Sequence, residues 1–528
     1  MEKQNKFIWP FVLSLVLAAG LWGGHLLTPN SRGLSWNEDR AKYSKLQDII
    51  EILNERYVDT VNGDKVFEQA ISDMLHKLDP HSNYIPVSEV KRANEQIQGK
   101  FGGIGVRFSV IRDTICITNV IPHSPASKFG VLAGDKIVEI EGKEVAGKNI
   151  SNERVMELLK GLENTEVNIQ VLRHQEKKAI RIVRGVIPIE TIVCATMLTP
   201  KIGYIKLNQF SVQSALEFNR AALRLKQQGM KQLIFDLRNN GGGVLQSATD
   251  IVDEFLGDRV PIVTTKGLHS KESTYRASSK GILKNMQVVV LINSNSASAS
   301  EIVAGALQDN DRATIMGRRS FGKGLVQEDI LLKDGSNLRL TIARYYTPSG
   351  RCIQKPYSKN YQSYYEDQID RIENGELYHP DSTLLVDSLK FKTKKGKIVY
   401  GGGGIMPDIF IPYDTTGSSW YLTDLRYTPV FQNFAFDFLE YKRSHWEDIR
   451  TFNERFKVSD QMLNDFVRYA EKEVKIPLNK KGFATSKELI RLTIKAEIAR
   501  QLWTEQGYYS VAADFDPELQ RALDYLTK

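Results

Sequence analysis

Apolar and polar positions alternate along this chain with two different periods. Between residues 187 and 355, apolar runs typical of buried strands, such as KQLIFDLR and MQVVVLINS, alternate with helical patterns such as SALEFNRAALRLKQQG and SEIVAGALQD. Strand and helix therefore follow one another in the rhythm of an α/β domain. The later strand pattern GIMPDIFI extends this region, so we expect residues 186–415 to form an α/β core.

Different patterns flank this core on both sides. Residues 96–185 hold short alternating strands, including EVNIQVLR and KAIRIVR, with the amphipathic helix pattern ERVMELLKG, and they predict a small β-rich domain. Residues 31–95 and 416–528 carry apolar side chains at helical spacing, which predicts two helical regions. The capping-box spacing from Thr485 to Glu488 is expected to begin a helix in the second of them.

The N-terminus carries an apolar run long enough to span a bilayer as a helix. The run FIWPFVLSLVLAAGLWGGHLL covers residues 7–27, contains no acid or base except one histidine, and follows two lysines. Lysines on the leading side predict a cytoplasmic N-terminus and an exported body. We therefore expect residues 1–30 to be an uncleaved anchor. A removed signal peptide with a small-residue cleavage site near Ala18 and Gly20 stays open, as does a buried core helix.

Composition excludes several classes of protein. A chain of 528 residues with 41% hydrophobic and 25% charged residues is that of a globular protein with several domains. The net charge is +8, but the charges are interspersed without a basic block, so nucleic-acid binding is not expected. Cys116, Cys194 and Cys352 are far apart and are expected to be buried free thiols. No metal motif and no Walker-type loop is present, so no metal or other cofactor is expected.

A serine-rich turn joins a predicted strand to a predicted helix. The segment NSNSASASE stands between QVVVLINS and EIVAGALQ. A serine there would lie at a helix N-terminus, where the macrodipole and free backbone N–H groups stabilise negative charge. That suits a nucleophile whose attack creates an oxyanion. Serines are also common helix caps, and the turn by itself is better explained by capping.

A lysine and a glutamine follow in the segment RRSFGKGLVQ. Lys323 lies between two glycines and Gln327 comes four positions later, a spacing that would place both side chains on one face of a strand. A buried lysine can have a pKa low enough to be neutral and to act as the base for a serine. A glutamine could hold such a lysine by a hydrogen bond without adding negative charge. An exposed lysine in a glycine turn is the commoner case.

Two glycine-rich segments complete the candidate chemistry. In IFDLRNNGGGV, residues 234–244, a buried strand ends in glycines, which let the backbone approach a ligand and direct N–H groups at it. A plain tight turn is the alternative. The second segment, FGGIGV at residues 101–106, leads into a strand and not into a helix, so it does not fit a dinucleotide site.

Together these segments resemble the carboxy-terminal processing proteases, also called tail-specific proteases, which are PDZ-containing serine peptidases. The resemblance covers roughly residues 40–415 apart from one insertion. It rests on ordered motifs: LDPHSNY, FGGIGV, FDLRNNGGG, NSASASEIVAGALQDNDRA, SFGKGLVQ, TPSGR and GIMPDI. It implies a core of the Clp protease/crotonase type with an inserted PDZ domain, an N-terminal helical segment and a C-terminal helical region.

The resemblance assigns roles to the serines and the lysine. The middle serine of SASASE, Ser298, is the implied nucleophile, Lys323 the implied base, and Gln327 the residue that orients the lysine. Ser296 and Ser300 are then structural, and Ser300 is expected to cap the helix.

The resemblance also implies two sets of backbone donors. An oxyanion hole is implied at the N–H of Ala299 and of a glycine in the NNGGG turn, which we expect to be Gly242 or Gly243. The loop FGGIGV would receive the C-terminal carboxylate of a substrate, which would add to the PDZ domain as a strand. Its expected donors are Gly103, Ile104 and Gly105.

The resulting hypothesis is a serine endopeptidase anchored by a single pass in a bacterial inner membrane, with its catalytic body in the periplasm. Its partners would be protein substrates with exposed apolar C-termini. One alternative is a non-catalytic, membrane-anchored PDZ scaffold that binds protein C-termini. Another is a Ser-His hydrolase of small esters, for which the candidate histidines are His81, His123 and His269.

Two regions depart from the family pattern. Residues 356–400, an insertion or long loop, separate TPSGR from GIMPDI, and residues 416–528 lie beyond the expected core. Either region could be a lid, an oligomerisation element or a docking surface for an adaptor protein. The oligomeric state cannot be read from the sequence.

Overall fold

The computed structural model describes residues 36–357, 361–381 and 386–528. The apolar run at residues 7–27, for which the sequence predicts an anchor, lies outside this range. None of the helices within the range is both long enough and apolar enough to cross a membrane. The chain divides into two compact units, one ending at Leu75 and the other running from His76 to Lys528.

The first unit is helical, as the sequence predicts. It holds α1 (Trp36–Arg56) and nearly all of α2 (Gly63–His76). Asn62 lies just before α2, and its side-chain oxygen accepts a hydrogen bond from the Lys65 N–H at 3.1 Å. This bond satisfies one of the backbone donors that a helix leaves free at its start.

The second unit begins with a strand that the helical pattern did not reveal, β1 (Asn83–Ile85), followed by α3 (Val87–Gln98). Residues 31–95 are therefore not helical throughout. The helix α3 ends at Gly99, whose φ of 69° places it in the left-handed region that glycine adopts without strain.

The predicted β-rich domain is present as an antiparallel sheet with two short helices. Its elements are β2 (Lys100–Gly103), β3 (Val106–Ile111), β4 (Thr114–Val120), α4 (Pro125–Lys128), β5 (Lys136–Ile140), β6 (Lys143–Glu144), α5 (Asn152–Leu159), β7 (Glu166–Arg173), β8 (Glu176–Val183) and β9 (Gly185–Pro188). The strand order is β3-β4-β5-β7-β8, with β6 on β5 and a separate β2–β9 pair. Strand β3 is thus an edge strand of the main sheet.

The α/β core follows in the predicted order. Its elements are β10 (Ile192–Met197), β11 (Ile202–Leu207), α6 (Ser214–Gln227), β12 (Gln232–Asp236), α7 (Leu245–Asp253), β13 (Pro261–Lys266), β14 (Ser273–Arg276), β15 (Gln287–Ile292), α8 (Ala299–Asp309), β16 (Thr314–Gly317), β17 (Leu325–Leu331), β18 (Asn337–Tyr346), α9 (Tyr361–Glu373), β19 (Lys390–Lys392), β20 (Ile398–Tyr400) and β21 (Ile409–Phe410).

These core strands form two larger sheets. The central sheet has the order β10-β11-β12-β15-β16-β21 and is parallel from β11 to β21. A second, antiparallel sheet has the order β1-β18-β13-β14, with β17 also paired to β18. Parallel strands buried on both faces read as continuous apolar runs, which is why the central sheet was the easier one to predict.

The C-terminal region is helical, as predicted. Its helices are α10 (Trp420–Arg426), α11 (Val430–Phe438), α12 (Ile449–Arg455), α13 (Asp460–Val474), α14 (Lys480–Ala512) and α15 (Pro517–Thr527). The expected helix start at Thr485 is wrong. The helix α14 begins five residues earlier, because the side chain of Asn479 accepts a hydrogen bond from the Gly482 N–H at 2.9 Å and caps it.

The two faces of the central sheet are covered by different helices. On one face, Phe235 of β12 packs against Phe218 of α6 and in the same cluster as Phe255, which follows α7. Leu519 and Leu526 of α15 pack on the other face. The C-terminal region is therefore not an appendage beyond the core, because its last helix closes one side of the sheet.

The insertion at residues 356–400 is not a plain loop. It holds α9 and a short antiparallel hairpin made of β19 and β20. Its sequence is charged and rich in tyrosine. The buried side of α9 is polar, so the segment lacks the apolar pattern that predicts a helix. The three cysteines are free thiols; Cys116 and Cys194 are buried as expected, and Cys352 is half-buried.

Candidate active site

The turn between β15 and α8 carries the candidate nucleophile. Strand β15 ends at Ile292, α8 begins at Ala299, and Ser298 immediately precedes the helix. Its backbone has φ of 55° and ψ of −113°, a conformation that costs a residue with a side chain about 1–3 kcal/mol. Such strain persists where surrounding contacts fix the chain, so the turn holds Ser298 in one orientation at the helix N-terminus.

The three serines of the motif have different surroundings. Ser296 and Ser300 are fully buried, and their hydroxyls donate to the carbonyl oxygens of Leu237 and Asn240, each over 2.8 Å. These bonds fasten the turn to the end of β12. Ser298 is half-buried and lines a cavity. The expected cap at Ser300 is wrong, because α8 begins one residue earlier and Ser298 occupies the cap position.

A buried glutamate joins the nucleophile turn to the lysine segment. The carboxylate oxygen Oε2 of Glu301 accepts hydrogen bonds from the N–H groups of Ser298 and Lys323, each over 2.8 Å. Its Oε1 accepts from the Gly322 N–H at 2.7 Å and from the Ser320 hydroxyl at 2.5 Å. Burial raises the pKa of Glu301 to about 7, while these hydrogen bonds act in the opposite direction.

A tyrosine bridges the same two residues from the carbonyl side. The Tyr345 hydroxyl lies 3.1 Å from the backbone oxygen of Ser298 and also contacts the backbone oxygen of Lys323. The side chain is buried in β18, and burial raises its pKa well above the ordinary value, so it remains a neutral donor. Ser298 and Lys323 are therefore fixed to each other through both backbone N–H and backbone C=O groups.

Lys323 is partly buried and bonds to the residue predicted to orient it. Its Nζ donates to Oε1 of Gln327 over 2.9 Å. The predicted strand geometry is wrong, however: Lys323 lies ahead of β17, which begins at Leu325, and the ladder shifts register just before Gln327. A turn at Gly322, with φ of 95°, and this bulge bring the two side chains together.

The electrostatic surroundings of Lys323 favour its neutral form. Burial, the largest cause, lowers the pKa of Lys323 to about 8. The charge of Arg339 lowers it further, whereas the carboxylates of Asp79 and Glu301 raise it. At pH 7 roughly one tenth of the lysine is then in the unprotonated form that a general base requires.

Ser298 and Lys323 face a common cavity of about 320 Å³, together with Gln327. No hydrogen bond joins the Ser298 hydroxyl to the Lys323 amine among the described contacts, and catalytic hydrogen bonds are often long in sites without substrate. Arg339 and Asp329 form an ion pair in the wall, with Nε and Oδ1 at 2.8 Å. Most of the remaining wall is apolar: Ile97, Val244, Leu245, Ile302, Leu325 and Val326.

The glycine turn after β12 lies against the nucleophile. A Cβ on Gly242, whose φ is 100°, would stand 2.7 Å from Cβ of Ser298, so only glycine fits there. The Gly242 N–H donates to Oδ1 of Asn240 over 2.9 Å, so it is not free to bind a substrate oxygen. Gly243 lines the cavity, and its N–H has no acceptor within the described part of the chain. Of the two predicted glycines, the geometry favours Gly243.

Ala299 is the first residue of α8, and the structure places it beside this turn. A Cβ on Gly242 would come 3.0 Å from the Ala299 nitrogen. The first N–H groups of a helix lack acceptors within the helix, so the Ala299 N–H is available to an incoming oxygen. Ala299 and Gly243 are therefore the two candidate donors to an oxyanion in this part of the site.

The candidate histidines lie outside the cavity. His123 and His269 are exposed. Burial and the nearby charge of Lys323 lower the pKa of His81 to about 3, and its Nε2 lies 2.9 Å from the Tyr364 hydroxyl. The geometry gives no support to a Ser-His pair. Within the described residues, no group of three or more His, Cys, Asp or Glu side chains is arranged to hold a metal ion.

The predicted carboxylate-binding loop connects β2 to the edge strand β3. Gly103 ends β2, Ile104 is buried, and Gly105 has φ of 82°. The carbonyl oxygens of Ile104 and Gly105 accept hydrogen bonds from the N–H groups of Ala126 and Ile121, over 2.7 and 2.9 Å. The carbonyl side of the loop is therefore occupied by the domain itself.

Sequence reasoning missed two residues that organise the site. Glu301 had a signal in the sequence, since Ser298 and Glu301 have capping-box spacing, but that pattern says nothing of contacts with the distant lysine segment. Tyr345 had no signal in the sequence, because it lies in a strand of the second sheet and contacts the site only in the folded chain.

Comparisons with known proteins agree with the fold. Residues 201–360 match the model of peptidase family S41, residues 102–183 match the PDZ domain, and residues 28–88 match the activating protease CtpB N-terminal domain. Residues 421–504 match a family of unknown function, DUF8443. The matched ranges cover the candidate site segments and the β-rich domain.

Two sequence relatives support the same family. A carboxy-terminal-processing protease of Bartonella bacilliformis is 36% identical over 350 residues, which is 64% of this chain and 80% of the relative. A probable CtpA-like serine protease of Staphylococcus haemolyticus is 32% identical over 407 residues, 74% of this chain and 80% of the relative. A photosystem II D1 C-terminal processing protease structure covers 73% of this chain and 88% of its own, with 24% identity and a TM-score of 0.36.

Proposed function

The chain belongs to the carboxy-terminal-processing proteases of peptidase family S41 and is a serine-type peptidase with a PDZ domain, and from this premise we propose that Ser298 and Lys323 form its catalytic dyad. The observation that carries the proposal is that Glu301 and Tyr345 fix both residues at one cavity. Family membership establishes the class of enzyme, and the dyad assigns the chemistry to particular atoms.

The proposed reaction begins with a proton transfer. Neutral Lys323 takes the proton of the Ser298 hydroxyl, and Oγ attacks the carbonyl carbon of the peptide bond. The N–H groups of Ala299 and Gly243 stabilise the oxyanion of the tetrahedral intermediate. The resulting Lys323 ammonium returns the proton to the leaving amine, which leaves an acyl ester on Ser298. Lys323 then takes a proton from water, and the hydroxide attacks the ester carbonyl. As the bond to Ser298 Oγ breaks and the acyl group leaves as a carboxylic acid, the Lys323 ammonium returns the proton to Oγ.

Gln327 is proposed to keep the lysine in place through this cycle. It accepts a hydrogen bond from Nζ whether the amine is neutral or charged, and it carries no charge that would hold the proton on the lysine. The apolar walls of the cavity, such as Leu245 and Ile302, suit an apolar side chain beside the scissile bond.

Substrates are proposed to be proteins with exposed apolar C-termini, captured by the PDZ domain. The edge strand β3 leaves a row of backbone groups for an added peptide strand. The loop Gly103–Gly105 precedes β3, and the carbonyl oxygens of Ile104 and Gly105 accept hydrogen bonds from within the domain. The N–H groups of Ile104 and Gly105 lie outside the β2–β9 ladder, which ends at Gly103, and are the candidate donors to a carboxylate. The upstream part of the captured chain would then reach Ser298.

The proposed location is the outer face of a bacterial inner membrane. The support is the apolar run at residues 7–27 with its preceding lysines. Residues 1–40 fused to a reporter enzyme that is active only outside the cytoplasm test this directly. Reporter activity in the membrane fraction is expected; activity released as a shorter soluble product would instead indicate a cleaved signal peptide.

Proteolysis is tested with the purified full-length chain and one unfolded test protein that ends in apolar residues, with its C-terminus free or amidated. Cleavage of the free form that disappears in Ser298→Ala is expected. Equal cleavage of both forms would remove the tail-capture step while keeping the dyad. Binding without cleavage by the unmodified chain would support a PDZ scaffold instead.

A further inference from the structure

The helix α9 of the insertion contacts the segments that carry the catalytic residues. Tyr364 and Arg371 on this helix are 3% and 5% exposed. No residue of α9 lines the catalytic cavity within the described chain. The helix therefore supports the site from outside the cavity.

The first contact is with the lysine segment. The Arg371 guanidinium donates to the backbone oxygens of Ser320 and Phe321, over 2.8 and 3.0 Å. Asp367, one helical turn earlier, holds the guanidinium with its Oδ2 at 3.0 Å from Nε. Charge-assisted bonds of this kind are stronger than neutral ones, so the chain leading into Lys323 is firmly held.

The second contact is with the residue after the lysine. Gln354 donates to the Tyr364 hydroxyl over 3.2 Å, and its own Oε1 accepts a hydrogen bond from the Gly324 N–H over 2.8 Å. Lys323 is consequently held on both sides, by Arg371 through the preceding carbonyls and by Tyr364 through Gln354.

The third contact fixes the orientation of Gln327. Tyr365 donates to the backbone oxygen of Pro80 over 2.9 Å, and the Tyr364 hydroxyl lies 2.9 Å from Nε2 of His81. The backbone oxygen of His81 accepts a hydrogen bond from the amide nitrogen of Gln327. With its nitrogen committed there, the Gln327 amide must direct its oxygen at the lysine.

We propose that α9 is a positioning element of the catalytic base, and that Tyr364 and Arg371 are the residues through which it holds Lys323 beside Gln327 and away from water. The role rests on Lys323 being the base. It assigns the insertion a function other than a lid, an oligomerisation element or an adaptor surface.

The position of the lysine determines its protonation. Burial lowers the pKa of Lys323 to about 8, and the ionisable groups that face it are Arg339 of β18, Asp79 and His81 of the turn before β1, and Glu301 of α8. If the segment moves outward, water reaches the amine and its pKa rises toward the ordinary value. Loosening α9 should therefore shift the pH dependence of catalysis upward.

The test uses Tyr364→Phe in the full-length chain, with kcat and KM measured for the test protein from about pH 6 to 10. The substitution keeps the ring and removes only the hydroxyl. The midpoint of the rise in kcat with pH should increase by roughly 0.5–1 unit, so that kcat near pH 7 falls about three- to tenfold with KM unchanged. The matched control is Tyr378→Phe, at an insertion tyrosine that is 44% exposed, and it should leave the profile unchanged.

A second pair of variants covers the arginine. Arg371→Ala should give a larger upward shift, and Arg371→Lys, which restores one donor, should recover part of it. Midpoints equal to the unmodified chain in both Tyr364→Phe and Arg371→Ala would overturn the role of α9, provided that Lys323→Met is inactive. If Lys323→Met remains active, the dyad and the role of α9 fail together.

Discussion

The backbone N–H groups of Ser298 and Lys323 donate to one and the same atom, Oε2 of Glu301, each over 2.8 Å. Tyr345 meets the backbone oxygens of the same two residues. The nucleophile and the base come from different segments, yet their main chains form a single hydrogen-bonded unit. Their relative position is therefore set by backbone contacts as well as by side-chain packing.

Replacing Glu301 with glutamine should disrupt this unit. The two carboxylate oxygens accept four hydrogen bonds, and an amide NH2 in either place would face a backbone N–H. Unpaired buried donors cost about 1–3 kcal/mol each, so we expect a lower Tm and a fall in kcat of roughly 100-fold or more.

The control for this variant is Glu328→Gln, the same substitution at an exposed position of β17. It should leave Tm and kcat near those of the unmodified chain. Equal behaviour of the two variants would show that the shared carboxylate does not hold the site together.

The pH dependence of kcat should reveal the neutral lysine. Because activity needs unprotonated Lys323 and its pKa is lowered to about 8, kcat should rise with pH through about 8. Glu301, whose pKa is raised to about 7, would give a rise at lower pH. Arg339→Gln distinguishes them: it removes a charge that lowers the pKa of Lys323, and should therefore move the midpoint upward. A midpoint that stays in place would exclude Lys323 as the titrating group.

Stability should also depend on pH through Lys323. The folded-state pKa of Lys323, about 8, lies below the ordinary value of 10.5, so the unfolded chain binds this proton more readily than the folded chain. The contribution of Lys323 to the free energy of unfolding is therefore complete above about pH 10.5 and is lost as the pH falls through 8. Between about pH 8 and 9.5 the free energy of unfolding of the unmodified chain should increase by roughly 2 kcal/mol relative to that of Lys323→Met. Denaturant unfolding of both proteins at the two pH values measures this gain, and a constant difference would contradict a buried, neutral lysine.

The central parallel sheet could be predicted from the sequence because each of its segments is local, and the candidate site residues followed from the family motifs that these segments carry. Continuous apolar runs identify β12 and β15, and glycines and serines mark the turns that follow them. The second sheet could not be predicted, since β1 and β18 pair across the whole PDZ domain and half of the core. The prediction that Ser300 caps α8 is wrong because one local and one long-range contact fix the start of the helix. The Ser298 N–H donates to Glu301, and the Ser300 hydroxyl donates to the backbone oxygen of Asn240.

The insertion shows a different limit of sequence reasoning. A helix with a buried polar side lacks the apolar periodicity that identifies helices in sequence. The side chains of Tyr364 and Arg371 in α9 are buried against backbone oxygens and side-chain amides, and such partners become visible only in the folded chain.

Peptide capture should depend on the turn at Gly105. A Cβ there would stand 2.3 Å from Cβ of Ser124, and φ of 82° is strained for any other residue. We expect Gly105→Val to weaken binding of a peptide with an apolar free C-terminus at least tenfold by calorimetry. Gly257→Ala, at a position with open space around it, is the control. Unchanged affinity in Gly105→Val would exclude this loop as the carboxylate site.

The most direct measurement of the central claim is covalent labelling by a fluorophosphonate, which reacts with activated serine hydroxyls. Mass spectrometry should find one adduct per chain, on Ser298, and Lys323→Met should slow its formation by roughly 100- to 10,000-fold, the contribution of a positioned general base. An adduct on another serine, or labelling of Ser298 in Lys323→Met at the rate of the unmodified chain, would contradict the Ser298–Lys323 dyad.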